Sequence, residues 1–229
     1  LSHLLAAGNE KLGHRIKSFS LPKGETCPGK SELCDQKCYV NRFARFNLDE
    51  VYGANLEECR SPDFVENACR EIQSSSIRII RMHVSGDFWS AAYIRKWIKI
   101  VKRNPDRVFY AYTRSWRVAR LRRALDDLRR LPNMQLWWST DKMCEIPPEG
   151  RVAYMSVSDD DVPAAEVGAT LVFRTNRKTV QRRLGKILVC VKENGIPTKE
   201  TCGTCRVCYK HAMTLDGQRN RPSTRGQSL

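Results

Sequence analysis

The sequence predicts an α/β protein whose parallel strands form a partial (β/α)6, TIM-like barrel or an open parallel sheet. A cysteine-rich loop precedes most of it and a C-terminal extension follows. Three observations predict this. From residue 77 onward, apolar strand-like runs alternate with amphipathic helix-like segments, the rhythm of βαβ units with right-handed crossovers. The 229 residues are few for a closed eight-fold barrel, which typically needs about 250. Two compact cysteine triplets, Cys27, Cys34 and Cys38 and then Cys202, Cys205 and Cys208, bracket the alternation.

IKSFSL, residues 16–21, alternates polar and apolar side chains and reads as the first strand, stopped by Pro22 and Gly24. The cysteine loop, 27–38, follows. CYVNRFARFNLDEVYGANLEEC is amphipathic, with Tyr39, Phe43 and Phe46 at roughly helical spacing and Asn47 or Asn55 as a break or cap. SPDFVENACREIQSS is a helix capped by Ser61, with Pro62 in its first turn. Its apolar face is Phe64, Val65, Ala68, Cys69 and Ile72, so Cys69 reads as core, as does Cys59. Further strands are expected at 77–84, 107–114, 134–139, 151–156 and 170–175. The helices SAAYIRKWIKIVKRNP and WRVARLRRALDDLRRLPN separate the first three of these, each ending at a proline.

The later connections, DKMCEIPPEG and SDDDVPAAEVG, are too short for full helices. RKTVQRRLGK reads as a basic helical turn, and ILVCVKENG as a last strand carrying Cys190. The expected organisation is one α/β domain over 1–200, a cysteine cluster packed on it at 201–214, and a loose basic tail at 215–229.

Forty Lys and Arg against twenty-five Asp and Glu give a net charge of +15. Residues 78–130 hold fifteen basic and four acidic side chains, concentrated on the two helices. If those helices pack their Ile, Val and Leu faces on the sheet, their arginines face outward and suit nucleic acid or another polyanion. No stretch reads as a signal peptide or a membrane span. The expectation is a cytoplasmic protein without a membrane partner, in a reducing compartment where clustered cysteines bind metal more often than they pair.

Six thiols in two triplets point to a soft metal centre. CxxCxxC at 202–208 repeats the step that bacterial ferredoxins use for iron–sulfur clusters, without the fourth cysteine that follows there. One or two [4Fe–4S] clusters are expected, with zinc as the alternative. Cys190, Cys144 and His211 are available as extra ligands.

Ligand sites of parallel sheets lie beyond the carboxyl ends of the strands. Those ends carry His83, Ser85, Gly86 and Asp87, then Arg114, then Trp138 and Asp141, then Arg174. His83, Asp87 and Arg114 are the candidate catalytic groups, for proton transfer, amine contact and anion anchoring. Ser85, Gly86, Asp87, Trp138, Asp141 and Arg174 are the candidate cofactor-binding set. The sequence therefore predicts a cluster-dependent enzyme that binds a small or nucleotide-like ligand at this mouth. The other class it allows is a cluster- or zinc-stabilised nucleic-acid-binding protein without turnover.

The cysteine loop after the first strand, closed by Cys38-Tyr39, resembles that of the radical S-adenosylmethionine enzymes. Ser85-Gly86-Asp87 is similar in place and type to that family's motif at the end of the second strand. The resemblance spans about residues 16–176 and implies a partial barrel. It also implies a [4Fe–4S] cluster on the three cysteines and S-adenosylmethionine as a ligand, its amine met near Asp87. The cysteines here are separated by six and then three residues, where that family has three and then two. Over nearly its full length the chain also resembles a cysteine-rich family encoded by actinobacterial phages and mobile elements. That resemblance implies no particular activity.

Overall fold

The computed structural model describes residues 4–41, 48–175 and 178–210. Eight strands form one sheet: β1 (Ile16–Phe19), β2 (Ile79–Met82), β3 (Val108–Thr113), β4 (Met134–Thr140), β5 (Arg151–Ser156), β6 (Ala169–Arg174), β7 (Arg183–Leu184) and β8 (Ile187–Val189). Their spatial order is β1-β2-β3-β4-β5-β6-β8-β7. All neighbours are parallel except β7, which runs antiparallel to β8. β1 and β7 form the two edges, so among the described residues the sheet is open.

Each strand from β1 to β6 adds beside the last, and right-handed crossovers then place the connecting helices on one face. These are α2 (Leu48–Arg60), α3 (Phe64–Ser74), α4 (Ala91–Arg103) and α5 (Ala119–Arg129), while α1 (Glu32–Gln36) lies in the cysteine loop and α6 (Cys202–Cys205) near the C-terminus. α4 shows how the sequence dictates the packing. Ser90 accepts a hydrogen bond from the Tyr93 amide at its start, and Tyr93, Ile94, Trp97, Ile100 and Val101 form its buried stripe. Each such side chain stabilises the fold by about 1.5–3 kcal/mol on burial. Lys96, on the flank of that stripe, donates to the carbonyls of Cys59, Arg60 and Ser61, which the end of α2 leaves unpaired.

Strand alternation divides the interior. Phe19, Ile80, Met82, Phe109, Ala111, Leu136 and Trp138 pack with Phe64, Ile72, Trp97 and Leu125 beneath the helices. The intervening residues, including Ile16, Val108, Tyr110 and Trp137, face the other way. There they meet Leu12, Val207, Cys208 and Tyr209, so the two ends of the described chain cover that face. Cys59 and Cys69 are core residues, as their helical positions predict.

Several elements differ from the sequence reading. Strands β1 and β2 are shorter by residues at their ends, because the chain turns at Ser20 and His83 to form loops. Asn55 does not break its helix: it is buried inside α2 and donates to the Ser20 carbonyl. Asp63, not Ser61, occupies the N-cap position of α3, while the Ser61 hydroxyl accepts from the Asp63 amide. The expected basic helical turn is instead the hairpin β7–β8, whose two-residue loop begins at Gly185 with φ 59. The short helix α1 lies inside what reads as loop. Phe43, Phe46, Asn47, His211 and the expected tail fall outside the described residues, as does part of the 201–214 segment. Among the described residues no helix is long and apolar enough to cross a membrane.

Candidate metal centre at the strand ends

Cys27, Cys34 and Cys38 line one cavity of about 210 Å³, together with Lys23, Gly24, Lys30, Asp35 and Asn41. Helix α1 positions the second of them: the Ser31 hydroxyl accepts from the Cys34 amide at 3.0 Å, an N-cap that fixes the turn. Ser31 in turn donates to Asp141 at 2.6 Å, and Asp141 accepts from the Arg114 guanidinium at 2.6 Å. The pair is deeply buried, with side-chain exposures of 7% for Arg114 and 0% for Asp141. Arg114 also donates to the Cys144 sulfur and the Thr140 carbonyl. One polar network thus ties the cysteine loop to the ends of β3 and β4. Arg117 adds hydrogen bonds to the carbonyls of Gly29 and Lys30.

The loop lies close against the sheet. A Cβ at Gly29 would come within 2.0 Å of the Arg114 carbonyl oxygen. Gly86 has φ 78, and a Cβ there would meet Leu21 and Thr26, each at 2.6 Å. Glycine is required at Gly86 on both counts.

Asp87 is engaged within the protein. One carboxylate oxygen accepts from the Phe88 amide and the Thr113 hydroxyl, and the other from the amides of Arg114 and Ser115. A carboxylate has about four lone-pair sites, and all are used in bracing β2 to β3. Burial raises its pKa while these hydrogen bonds pull the other way, and the net shift is upward. A ligand amine would find no free acceptor there.

His83 turns away from the cavity. Its backbone is left-handed, with φ 58, and its ring lies among Phe19, Phe88, Tyr93 and Trp97 beneath the helices. Nε2 is 2.8 Å from the Tyr93 hydroxyl, and Nδ1 is buried without a partner. Desolvation lowers its pKa to about 3, so the ring is neutral at physiological pH. Arg114, the third expected catalytic group, is neutralised by Asp141. The three do not converge on one point.

Of the remaining expected ligand residues, Trp138 and Arg174 are committed. Ser85 is buried and its carbonyl accepts from the Leu21 amide, while its hydroxyl has no hydrogen-bond partner among the described residues. Trp138 is 1% exposed in the core, its indole donating to the Glu149 carbonyl, so no face is free to stack a base. Arg174 is paired with Asp159 and bonded to Thr179, and braces the loops after β5 and β6. The structure keeps the three loop cysteines together and uses most of the polar strand ends to hold them. Sequence reasoning missed Ser31, whose spacing to Cys34 carried a capping signal, and the rim residues Lys23, Lys30 and Asp35.

Burial pushes the Cys27 thiol up to about 12, with Asp87 adding to it. Cys34 is raised by burial against the opposing pull of Arg114. As free thiols, Cys27 and Cys34 stay protonated at neutral pH and would lose their protons on binding a metal. Among the described residues, no group of three or more His, Cys, Asp or Glu side chains converges as a single metal ion requires.

The second triplet lies elsewhere. Cys202 and Cys208 pack against Leu12, Ile16, Val108, Tyr110 and Tyr209, on the sheet face opposite the helices. Cys202, Cys205 and Cys208 share none of the lining of the loop cavity.

The sequence model of a family described as Gene product 88 matches residues 3–211. Among curated proteins, the chain is 27% identical over 154 residues to the Gene 88 protein of Mycobacterium phage L5 and 26% identical over 154 residues to that of Mycobacterium phage D29. Each alignment covers 61% of this chain and 62% of the relative, so the chain spans about 62% of the length of the curated relatives it matches. No solved structure matches.

Proposed function

The chain belongs to the Gene product 88 family, and we propose that its N-terminal loop holds a [4Fe–4S] cluster through Cys27, Cys34 and Cys38. The observation that carries this reading is the lining of one cavity by all three thiols, on a loop clamped by the Ser31–Asp141–Arg114 network. The donor set fits: three soft sulfurs, with the ammonium groups of Lys23 and Lys30 at the rim to offset negative charge. The spread of the thiols favours a cluster over zinc. A single zinc draws its ligands to about 2.3 Å from one point, whereas each thiolate of a cluster meets a different iron.

Three cysteines leave one iron of such a cluster open, which supplies a coordination position for a small ligand. The chain's own residues would receive that ligand. Lys23 and Lys30 offer donors to a carboxylate or phosphate, and Asn41 and Asp35 offer acceptors. Asp35, which now pairs with Lys30 at 2.9 Å, is the carboxylate at the rim in place of Asp87. The reading is a cluster-dependent enzyme. S-adenosylmethionine is the first ligand to titrate, given the resemblance of the loop, and nucleotides come second.

Anaerobic purification should give brown protein with acid-labile sulfide and broad absorption. Cys34→Ser should lower the iron bound, with the circular dichroism of the apoprotein unchanged. Stoichiometric zinc without sulfide would overturn the reading.

A second reading has its own observation. Lys99 and Lys102 on α4, with Arg120 and Arg123 on α5, are exposed, and none forms an ion pair among the described residues. Two adjacent helices presenting unpaired cations suit the phosphates of a nucleic acid.

A further inference from the structure

We propose that Cys190, Cys202, Cys205 and Cys208 form a second, separate iron–sulfur site on the sheet face opposite the helices, a four-cysteine [4Fe–4S] centre with Arg81 as its counter-charge. The proposal does not rest on the reading of the N-terminal loop.

The first ground is geometry. The segment 202–208 is fixed against the chain's N-terminal stretch, with the Cys202 amide donating to the Lys11 carbonyl at 2.8 Å and the Gly203 amide to that of Leu12 at 3.0 Å. Thr201 and Thr204 form a reciprocal cap at the start of α6. The Trp137 indole donates to the Cys208 carbonyl at 2.8 Å, and the Tyr209 hydroxyl to that of Cys202 at 3.1 Å. Between Cys205 and Cys208 the chain bends through Arg206, a non-glycine residue with φ 60. Left-handed backbone at such a residue is uncommon and carries a cost. Here the turn carries the third cysteine back onto the sheet.

The second ground is the fourth thiol. Cys190 lies just beyond β8 and joins Cys208 in packing against Trp137, Ala153 and Leu171. Cys208 links the two groups of thiols: it packs with Cys202 against the cluster of Leu12, Ile16, Val108, Tyr110 and Tyr209, and with Cys190 against that of Trp137, Ala153 and Leu171. Cys144 is excluded, because its sulfur takes a hydrogen bond from Arg114 at the strand ends.

The third ground is charge. Strand alternation places Arg81 of β2 on this face, over the Tyr112 ring at 5.5 Å. Its Nε is buried without a hydrogen-bond partner, and among the described residues no carboxylate pairs with it. Its electrostatic neighbours are Tyr39, Tyr110, Tyr112 and Cys202. Close by, Lys11 forms a salt bridge with Glu193 at 2.5 Å. Arg81 is half-buried, and a cation held there without a carboxylate suits a site that gains negative charge. Four thiolates on a doubly charged cubane core leave a net negative charge, which supplies the missing partner.

The test uses the full chain, reconstituted anaerobically with ferrous iron and sulfide. Cys27→Ser, Cys34→Ser and Cys38→Ser together should leave about four iron and four sulfide per chain, the content of one cluster. Adding Cys190→Ser to that variant, which leaves three of the four ligands, should lower this iron content. A loop-triple variant that folds by circular dichroism but binds no iron and sulfide would overturn the proposal, as would one that binds a single zinc. Full iron content after Cys190→Ser would overturn Cys190 as a ligand. A second measurement avoids dependence on the variants. In reconstituted wild-type protein, alkylation followed by mass spectrometry should find Cys190 protected together with Cys202, Cys205 and Cys208, and all four exposed once the iron is stripped. Labelling of Cys190 at the same rate in both states would refute the assignment. Failure of the N-terminal reading is separately visible: Ser at the four terminal-site cysteines then leaves no iron at all.

Discussion

Replacing Asp141 with alanine should destabilise the protein severely and loosen the cysteine loop in the same step. The carboxylate accepts from Ser31 and Arg114, each at 2.6 Å, and from the Met143 amide at 2.9 Å. Its removal strands the Arg114 guanidinium in the interior. Breaking a buried pair from one side costs about 3–5 kcal/mol, a large share of a typical total of about 5–15 kcal/mol. Asp141→Asn keeps the shape and one acceptor but loses the charge, and should cost about 1.5–3 kcal/mol. Urea denaturation of the reduced apoprotein reads both values. Removing the two charges together, with Asp141→Leu and Arg114→Met, should recover much of the loss, because a matched apolar pair leaves no charge uncompensated. Ser31 loses its anchor in the alanine and leucine variants, so there alkylation of Cys34 should quicken well before global unfolding. A cost below about 1 kcal/mol, the range of an exposed ion pair, with Cys34 labelling unchanged, would refute the idea that this network holds the loop.

Three further outcomes are expected. His83 has a folded pKa of about 3 against 6.5 for the unfolded chain, so its contribution is intact above pH 6.5 and lost as pH falls toward 3. Stability should drop by up to about 1.4 kcal/mol per pH unit in that window, and His83→Asn, which tolerates the left-handed backbone, should flatten the dependence in urea titrations at pH 7 and 5. Gly86→Ala, which combines positive φ with two contacts at 2.6 Å, should lower both the urea midpoint and the iron bound by the loop; an unchanged midpoint would show that the loop is not seated as described. Binding of duplex or single-stranded nucleic acid should weaken with salt by about 0.7–0.9 in log–log slope per phosphate contact, and reversing Lys99, Lys102, Arg120 and Arg123 should weaken it without loss of iron. No measurable binding at roughly 50 mM salt would remove the second reading.

The sheet was legible because its signals are periodic and repeated. Alternation along β3 and the buried stripes of α4 and α5 can be read without coordinates, since periods of 2 and 3.6 survive local exceptions. The hairpin β7–β8 and helix α1 are too short to show a period, and only Gly185 and the Ser31–Cys34 spacing hinted at them. The candidate site was legible as a set of cysteines but not as a set of ligand contacts. A polar residue at a strand end looks the same whether it awaits a ligand or bonds its neighbours. Asp87 is the instructive case: its place and type match a ligand-binding carboxylate, and four protein donors occupy it. The reverse error befell Arg81, passed over as one more basic residue in a basic chain. Its place between Ile80 and Met82, which pack beneath the helices, would have put it on the face without helices.

The charge of +15 becomes informative only when divided by environment. Cations on the outer faces of α4 and α5 are hydrated and cost the fold little, so they speak only of long-range attraction. Arg114 and Arg174 are buried but matched, by Asp141 and Asp159, and their charges are spent inside the protein. Lys23 and Lys30 sit at the rim of the loop cavity, where Lys30 is itself paired with Asp35, so that site is free to take its negative charge from solvent. Arg81 belongs to none of these groups. It lies half-buried over the Tyr112 ring, near Cys202 of the terminal triplet, with no carboxylate paired to it among the described residues. If a metal binds the proposed terminal site, the event that removes the thiol protons would also supply the negative charge that Arg81 lacks.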